Sequence, residues 1–225
     1  MNKAFKENVK KLREETGASY SDCVKALEQT LKPPKLSIAI PVHNMKNRDF
    51  FFKRLMDSIE SQTFKDYEVV VTEDGLMAEN TNSAIQKCKG DIIKILYMDD
   101  YLAHPNALQN IAMNFQGGWL AEGCLHDDGQ RLFNPHFPSW HEDIAKGINT
   151  IGSPSVVAFE NKDPLLFDEN LSWLLDCELY GRLYKRYGLP TMLDDIGVVI
   201  GIGDHQMTHL LTAEEKQKEH EYINQ

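Results

Sequence analysis

Residues 36–44 read LSIAIPVHN, residues 67–75 read YEVVVTEDG, and residues 89–108 read KGDIIKILYMDDYLAHPNAL. Each stretch holds a short apolar, β-branched run that gives way to polar residues, the pattern of a strand covered on both faces. Strands are therefore expected over 36–42, 67–72 and 91–98. Helices are expected over 50–62, with Phe51, Leu55 and Ile59 inward, over 84–89 and over 106–115. Strands alternating with helices imply the α/β class, with a mostly parallel sheet flanked by helices. In such sheets ligands collect beyond the carboxyl ends of the strands. Here those ends carry Pro41-Val42-His43-Asn44, Glu73-Asp74-Gly75 and Asp99-Asp100.

Further along, 118–124 and 131–133 read as strands around the turn Asp127-Asp128-Gly129, and 155–159 as another strand. A final helix is expected over 171–187. The stretch 212–225 is charged and polar, and reads as a solvated helix or a frayed tail. At the other end, Val9, Leu12, Cys23, Ala26 and Leu27 fall at helical spacing around a break at Thr16-Gly17-Ala18, with Ser19 or Ser21 available as a cap. This is a small N-terminal helical hairpin. It runs into Lys32-Pro33-Pro34-Lys35, where two prolines forbid helix continuation. The expected domains are thus 1–31, a linker at 32–35, 36–211, and a polar tail at 212–225.

Composition narrows the function. A chain of 225 residues, 42% hydrophobic, supports one sizeable core and a small appendage. A net charge of -10 argues against nucleic acid as a partner, because phosphate backbones need clustered Lys and Arg. The four cysteines are scattered in apolar segments without CxxC spacing, as in reduced cytoplasmic proteins. No apolar run reaches the roughly 20 residues of a membrane span, and the first residues lack the apolar stretch of a signal peptide.

Asp99 and Asp100 are the metal-site candidates. Adjacent carboxylates repel unless a cation or hydrogen-bond donors compensate them, and a divalent ion with a diphosphate would do so. The alternative is a turn or helix cap before His104-Pro105-Asn106. Trp173 is either a sugar-stacking platform or a core aromatic. His205 and His209 are spaced like a helical zinc pair, but the glycines around them favour a loop.

The three quoted stretches, in this order and spacing, resemble a family 2 glycosyltransferase of the GT-A nucleotide-diphospho-sugar transferase fold, and the resemblance extends over most of residues 36–210. It implies that Pro41, His43, Asn44, Glu73 and Asp74 hold the base and ribose of a nucleotide-sugar donor, with a UDP-sugar expected. It further implies that Asp100 binds a divalent metal (Mn2+ or Mg2+) and Asp99 the ribose or diphosphate. Tyr97 stands where the longer family pattern has its first acid, and Thr81-Asn82 where the family often has Arg-Asn. Residues 173–183, WLLDCELYGRL, are similar to the family's Glu-Asp-x-x-Leu-x-x-Arg-Leu segment, which puts Asp176 in the place of the catalytic base and Leu175 in that of its Glu. The stretch Gly201–His209 resembles the family's late loop, in which His205 would reach the diphosphate or metal.

The implied function is inverting, metal-dependent transfer of a sugar to an acceptor hydroxyl on a glycan, a lipid-linked sugar or a protein. The alternative is an inactive sugar-nucleotide or glycan-binding adaptor. Residues 12–27 resemble the ubiquitin-associated-like module of elongation factor Ts, which implies an elongation factor Tu-like partner for 1–31.

Overall fold

The computed structural model of the chain describes residues 3–31, 35–204 and 206–224. The chain divides into two compact units, residues 1–34 and 35–225. Most of the expected linker, Lys32 to Pro34, lies outside the described residues.

In the first unit α1 spans Lys3–Thr16 and α2 spans Tyr20–Leu31. Gly17 ends α1 at φ 68°, a conformation that costs glycine nothing, and its N–H donates to the Arg13 carbonyl at 2.9 Å. The Ser19 hydroxyl accepts from the Asp22 N–H at 3.1 Å and so caps α2.

The second unit runs β1 (Leu36–Pro41), α3 (Arg48–Glu60), β2 (Tyr67–Thr72), α4 (Met77–Lys87), β3 (Ile92–Ile95), β4 (Tyr101–Leu102), α5 (Ala107–Asn114), β5 (Trp119–Asp127), β6 (Leu132–His136), β7 (Val157–Glu160), α6 (Leu175–Tyr187), β8 (Thr191–Gly201), α7 (Met207–Leu210) and α8 (Ala213–Ile223). The strands form a sheet in the order β2-β1-β3-β7-β5-β8-β4, with β6 paired to β5. All six residues of β1 are buried, as a central strand with both faces covered requires.

The α/β class holds, but the sheet is mixed rather than mostly parallel. β1 runs parallel to β2 and β3, and β5 to β8, whereas β3/β7, β5/β7, β5/β6 and β4/β8 are antiparallel. The reason lies in the connections. A parallel pair needs a crossover, and α3, α4 and α6 supply crossovers, while the turn at Asp127-Asp128-Gly129 between β5 and β6 can make only a hairpin.

Other departures have equally local causes. α4 begins well before residue 84 because the inward side of its first turns is polar: Asn80, Thr81 and Asn82 are buried. Asn80 donates to the Val42 carbonyl at 2.9 Å and accepts from the Asp74 N–H at 3.0 Å. Asn82 donates to and accepts from the Phe167 backbone. β3 stops at Ile95 because the Tyr97 N–H turns aside to the Ser155 hydroxyl at 2.9 Å and Asp100 N–H closes a turn onto the Tyr97 carbonyl.

β8 carries no readable alternation, since Asp194, Asp195 and Gly197 interrupt it. Gly197 is required there because a Cβ would lie 1.8 Å from the buried Glu122 carboxylate. The C-terminal stretch is the helix of its two readings, largely exposed and with no residue buried. α8 turns Lys216, Glu219, His220 and Ile223 inward, a helical face with one apolar residue that hydrophobic periodicity cannot detect.

Candidate active site

The register aligns Pro41 with Thr72 and Ala39 with Ile95, so β1, β2 and β3 finish at one edge of the sheet. Beyond that edge lies a cleft of about 500 Å³. Pro41, His43 and Asn44 line it from the end of β1, Asp99 and Asp100 from the turn after β3, and Trp173 and Asp176 from the start of α6. Met45, Leu76, Met77, Met207 and Leu210 add an apolar rim.

Glu73 and Asp74 are not among the lining residues. Glu73 is ion-paired with Arg48. Asp74 accepts from the Ser83 hydroxyl at 2.7 Å and from Lys87 at 3.1 Å, and these two partners hold its carboxyl below the usual carboxylate range. His205 lies outside the described residues.

The acid pair is split by the turn it occupies. Asp99 is partly exposed to the cleft, whereas Asp100 is 2% exposed. Asp100 Oδ1 accepts from the Gly201 N–H at 2.8 Å, and the Ser155 hydroxyl also reaches the carboxyl. Burial, followed by the charge of Asp99, pushes the Asp100 carboxyl well above its ordinary range. Burial also lowers the affinity of half-buried His43 for a proton, against the pull of Asp99, and its Nε2 has no hydrogen-bond partner among the described residues.

Arg54, on the border of the apolar face of α3, holds the turn from behind. It donates to the Asp99 carbonyl at 2.6 Å and to Asp127 at 2.7 Å, and its guanidinium lies 4.2 Å from the Tyr101 ring centroid. Sequence reasoning missed it, although a cation next to inward-facing Leu55 was the available signal.

The donor chemistry of this corner fits a hard divalent ion. Two carboxylates side by side, one of them buried and reluctant to ionise alone, are relieved by a cation. Among the described residues no group of three or more His, Cys, Asp or Glu side chains could enclose an ion. An ion held here would have to complete its shell from water or a bound ligand, as Mg2+ in particular commonly does. Gly201 matters to this corner because a Cβ there would lie 2.3 Å from the Asp99 carbonyl oxygen. Gly201→Ala is expected to displace the acidic turn and cost about 1–3 kcal/mol, measured as a lower denaturant midpoint.

Asp176, which lines the same cleft, occupies the first turn of α6. Its Oδ1 accepts from the Cys177 N–H and its Oδ2 from Asn149, both at 2.6 Å. Asn149 is itself fixed, accepting from the Ile151 and Gly152 N–H groups. Burial outweighs these bonds and pushes the Asp176 carboxyl up to about 6. A carboxylate with that affinity can take a proton from a bound hydroxyl near neutral pH. Trp173 is half-buried at the cleft, with Lys216 Nζ 5.4 Å from its ring centroid and His220 edge-on at 5.4 Å.

No protein-family model matches the chain. It is 31% identical over 101 residues to a GalNAc(5)-diNAcBac-PP-undecaprenol beta-1,3-glucosyltransferase of Campylobacter jejuni, which covers 44% of this chain and 31% of the relative. The chain spans 12–38% of the length of the curated relatives it matches, all of them named as glycosyltransferases. Among solved structures, S. aureus TarS in complex with UDP-GlcNAc superimposes with a TM-score of 0.62 at 15% identity, over 84% of this chain and 65% of TarS. Mannosyltransferase PcManGT from Pyrobaculum calidifontis, in complex with GDP-Man and Mn2+, gives 0.53 at 14% identity, over 78% and 59% of the two chains. The second unit thus has the fold of the GT-A glycosyltransferases.

Proposed function

We propose that this chain is a glycosyltransferase that moves a sugar from a nucleotide-diphosphate donor, a UDP-sugar, to an acceptor hydroxyl with inversion at the anomeric carbon. The observation that carries this reading is the convergence of Pro41, His43, Asn44, Asp99, Asp100, Trp173 and Asp176 on one cleft. In this reading Pro41, His43 and Asn44 bind the nucleoside, with Glu73 and Asp74 at the margin of its subsite. Asp100, with His205, would hold Mn2+ or Mg2+, and Asp99 would meet the ribose or diphosphate; a bound ion offsets charge on the leaving diphosphate.

Asp176 takes the proton of the acceptor hydroxyl as that oxygen bonds to the anomeric carbon and the carbon–oxygen bond to the diphosphate breaks. Asn149 fixes the orientation of the base, and Trp173 offers a ring face to the sugar. A lipid-linked sugar is the acceptor favoured by the Campylobacter relative's name; a glycan or a protein hydroxyl is the alternative. Residues 1–31 would recruit an elongation factor Tu-like partner in the cytoplasm. Among the described residues no helix is long and apolar enough to cross a membrane.

The base must be ionised to act. With its carboxyl at about 6, kcat/KM is expected to rise with pH through about 6 and then level off. A pH profile of nucleotide release between pH 4.5 and 8.5 tests this. A flat profile over that range would assign the proton transfer to another group.

A further inference from the structure

α6 begins without a cap of its own, because Leu174 at its N-cap position makes no side-chain hydrogen bond to the helix. The turn that leads into α6 is held from the far end of the chain instead. Glu219 on α8 accepts the N–H groups of Ser172 at 2.9 Å, Trp173 at 2.9 Å and Leu174 at 2.8 Å. A carboxylate at a helix start is favoured by the helix dipole, and hydrogen bonds to an ionised acceptor are the stronger kind.

The neighbours of Glu219 on the same face act on the same segment. Lys216 lies over the Trp173 ring and donates to the Thr208 carbonyl at 2.7 Å, and His220 meets the Trp173 ring edge-on. At the end of α8, Tyr222 donates to Asp168 at 2.8 Å. The turn 172–174 is thus held by α8, while α6 beyond it is anchored independently through buried Leu175, Leu179, Tyr180 and Leu183.

We propose that Glu219 is a positioning residue for the sugar side of the cleft: by gathering three consecutive N–H groups it sets where Trp173 faces. The proposal rests on the reading of Trp173 as a ring that meets the sugar. Without Glu219 the three N–H groups turn to water, the 172–174 turn loosens, and the Trp173 ring loses its place beside the sugar. The nucleoside subsite at the ends of β1 and β3 is built from other elements and keeps its affinity for UDP. A side chain that only stabilised the fold would instead alter melting temperature, UDP affinity and turnover together.

The test uses the full chain and its Glu219→Ala and Glu219→Gln variants, with amide hydrogen exchange, calorimetric UDP binding and donor turnover measured on each. In Glu219→Ala the amides of residues 172–174 are expected to exchange at least about tenfold faster, the scale of one hydrogen bond to a charged group. Turnover should fall roughly a hundredfold, the penalty of slight misplacement in a site, with UDP affinity within about twofold of wild type. Glu219→Gln keeps one accepting oxygen, so both effects should be smaller. Unchanged exchange at 172–174 in both variants would overturn the proposal, as would turnover and UDP affinity falling in parallel. If the unaltered chain turns over no nucleotide-sugar, the transferase reading fails on that result alone, and exchange still decides whether Glu219 holds the turn.

Discussion

Asp176→Asn is expected to reduce sugar transfer and donor hydrolysis by roughly 10²–10⁴-fold, the usual contribution of a general base, while leaving nucleotide binding intact. The substitution keeps the shape of the side chain and its acceptance of the Cys177 N–H, but removes the carboxylate proposed to take the acceptor proton. Its effect on stability distinguishes a lost base from a damaged fold. The carboxyl is raised in the folded protein from 3.8 to about 6, so the folded state binds this proton more tightly than the unfolded chain. The favourable contribution is complete below pH 3.8 and is lost as pH rises through about 6, which makes the ionised carboxylate a cost at pH 7 of about 1–3 kcal/mol. Asparagine removes that cost. It also places its amide against the Nδ2 of Asn149, which cannot flip while its oxygen serves Ile151 and Gly152, and loses about 1 kcal/mol there. The variant should therefore melt no lower than wild type at pH 7. A melting temperature several degrees lower, with activity lost, would trace the inactivity to misfolding.

Lys94→Met should give the largest loss of stability. Lys94 and Glu122 are fully buried within the sheet, with Nζ 2.6 Å from Oε1, and Lys94 also donates to the Ser155 carbonyl. Glu122 Oε2 has no partner among the described residues, and burial raises the carboxyl against the opposing pull of Lys94. Removing Lys94 leaves a buried carboxyl without its counter-charge, at a cost of about 3–5 kcal/mol, a large part of the roughly 5–15 kcal/mol that holds a domain together. Without Lys94 the Glu122 carboxyl holds its proton more tightly in the folded state, so the deficit should grow as pH rises above the ordinary carboxylate range. Lys94→Met/Glu122→Leu removes both charges and should recover most of the loss, as denaturant unfolding at pH 5 and pH 8 would show. The pair also supports the cleft. The Ser155 residue whose carbonyl Lys94 holds uses its hydroxyl to receive the Tyr97 N–H and to reach Asp100.

The N-terminal half of the sheet was legible because β1, β2 and β3 are short apolar runs ending in polar clusters, and crossover helices force them parallel. The second half was less so. β8 is broken as a pattern by Asp194, Asp195 and Gly197; Asp195 meets His104 and Asn110, and Gly197 lies against Glu122, all in other elements. The first turns of α4 were hidden because their inward side is Asn80-Thr81-Asn82, read naturally as solvent-facing. Lys94 was visible as the one charge inside an apolar strand, but nothing local revealed Glu122 as its partner.

The site divides in the same way. Residues that follow a strand, such as His43, Asp99 and Asp100, could be nominated from position alone, and Asp176 from the segment around it. Arg54 and Asn149 act on those residues, and Glu219 on the turn that carries Trp173, from distant parts of the chain, and only the folded geometry joins them. Of the two readings of 212–225 the helix holds, and it meets the rest of its domain through Lys216, Glu219 and His220, which no apolar pattern announces.

The most direct test of the account is nucleotide release from UDP-, GDP-, dTDP- and CMP-sugars by the intact chain, with and without manganese, beside Asp100→Ala and Asp176→Asn. Release from UDP-sugars is expected to require the metal, to be abolished in Asp100→Ala, and to be lost in Asp176→Asn despite retained nucleotide binding. Absence of release across the panel, with no metal-dependent nucleotide binding by calorimetry, would contradict it.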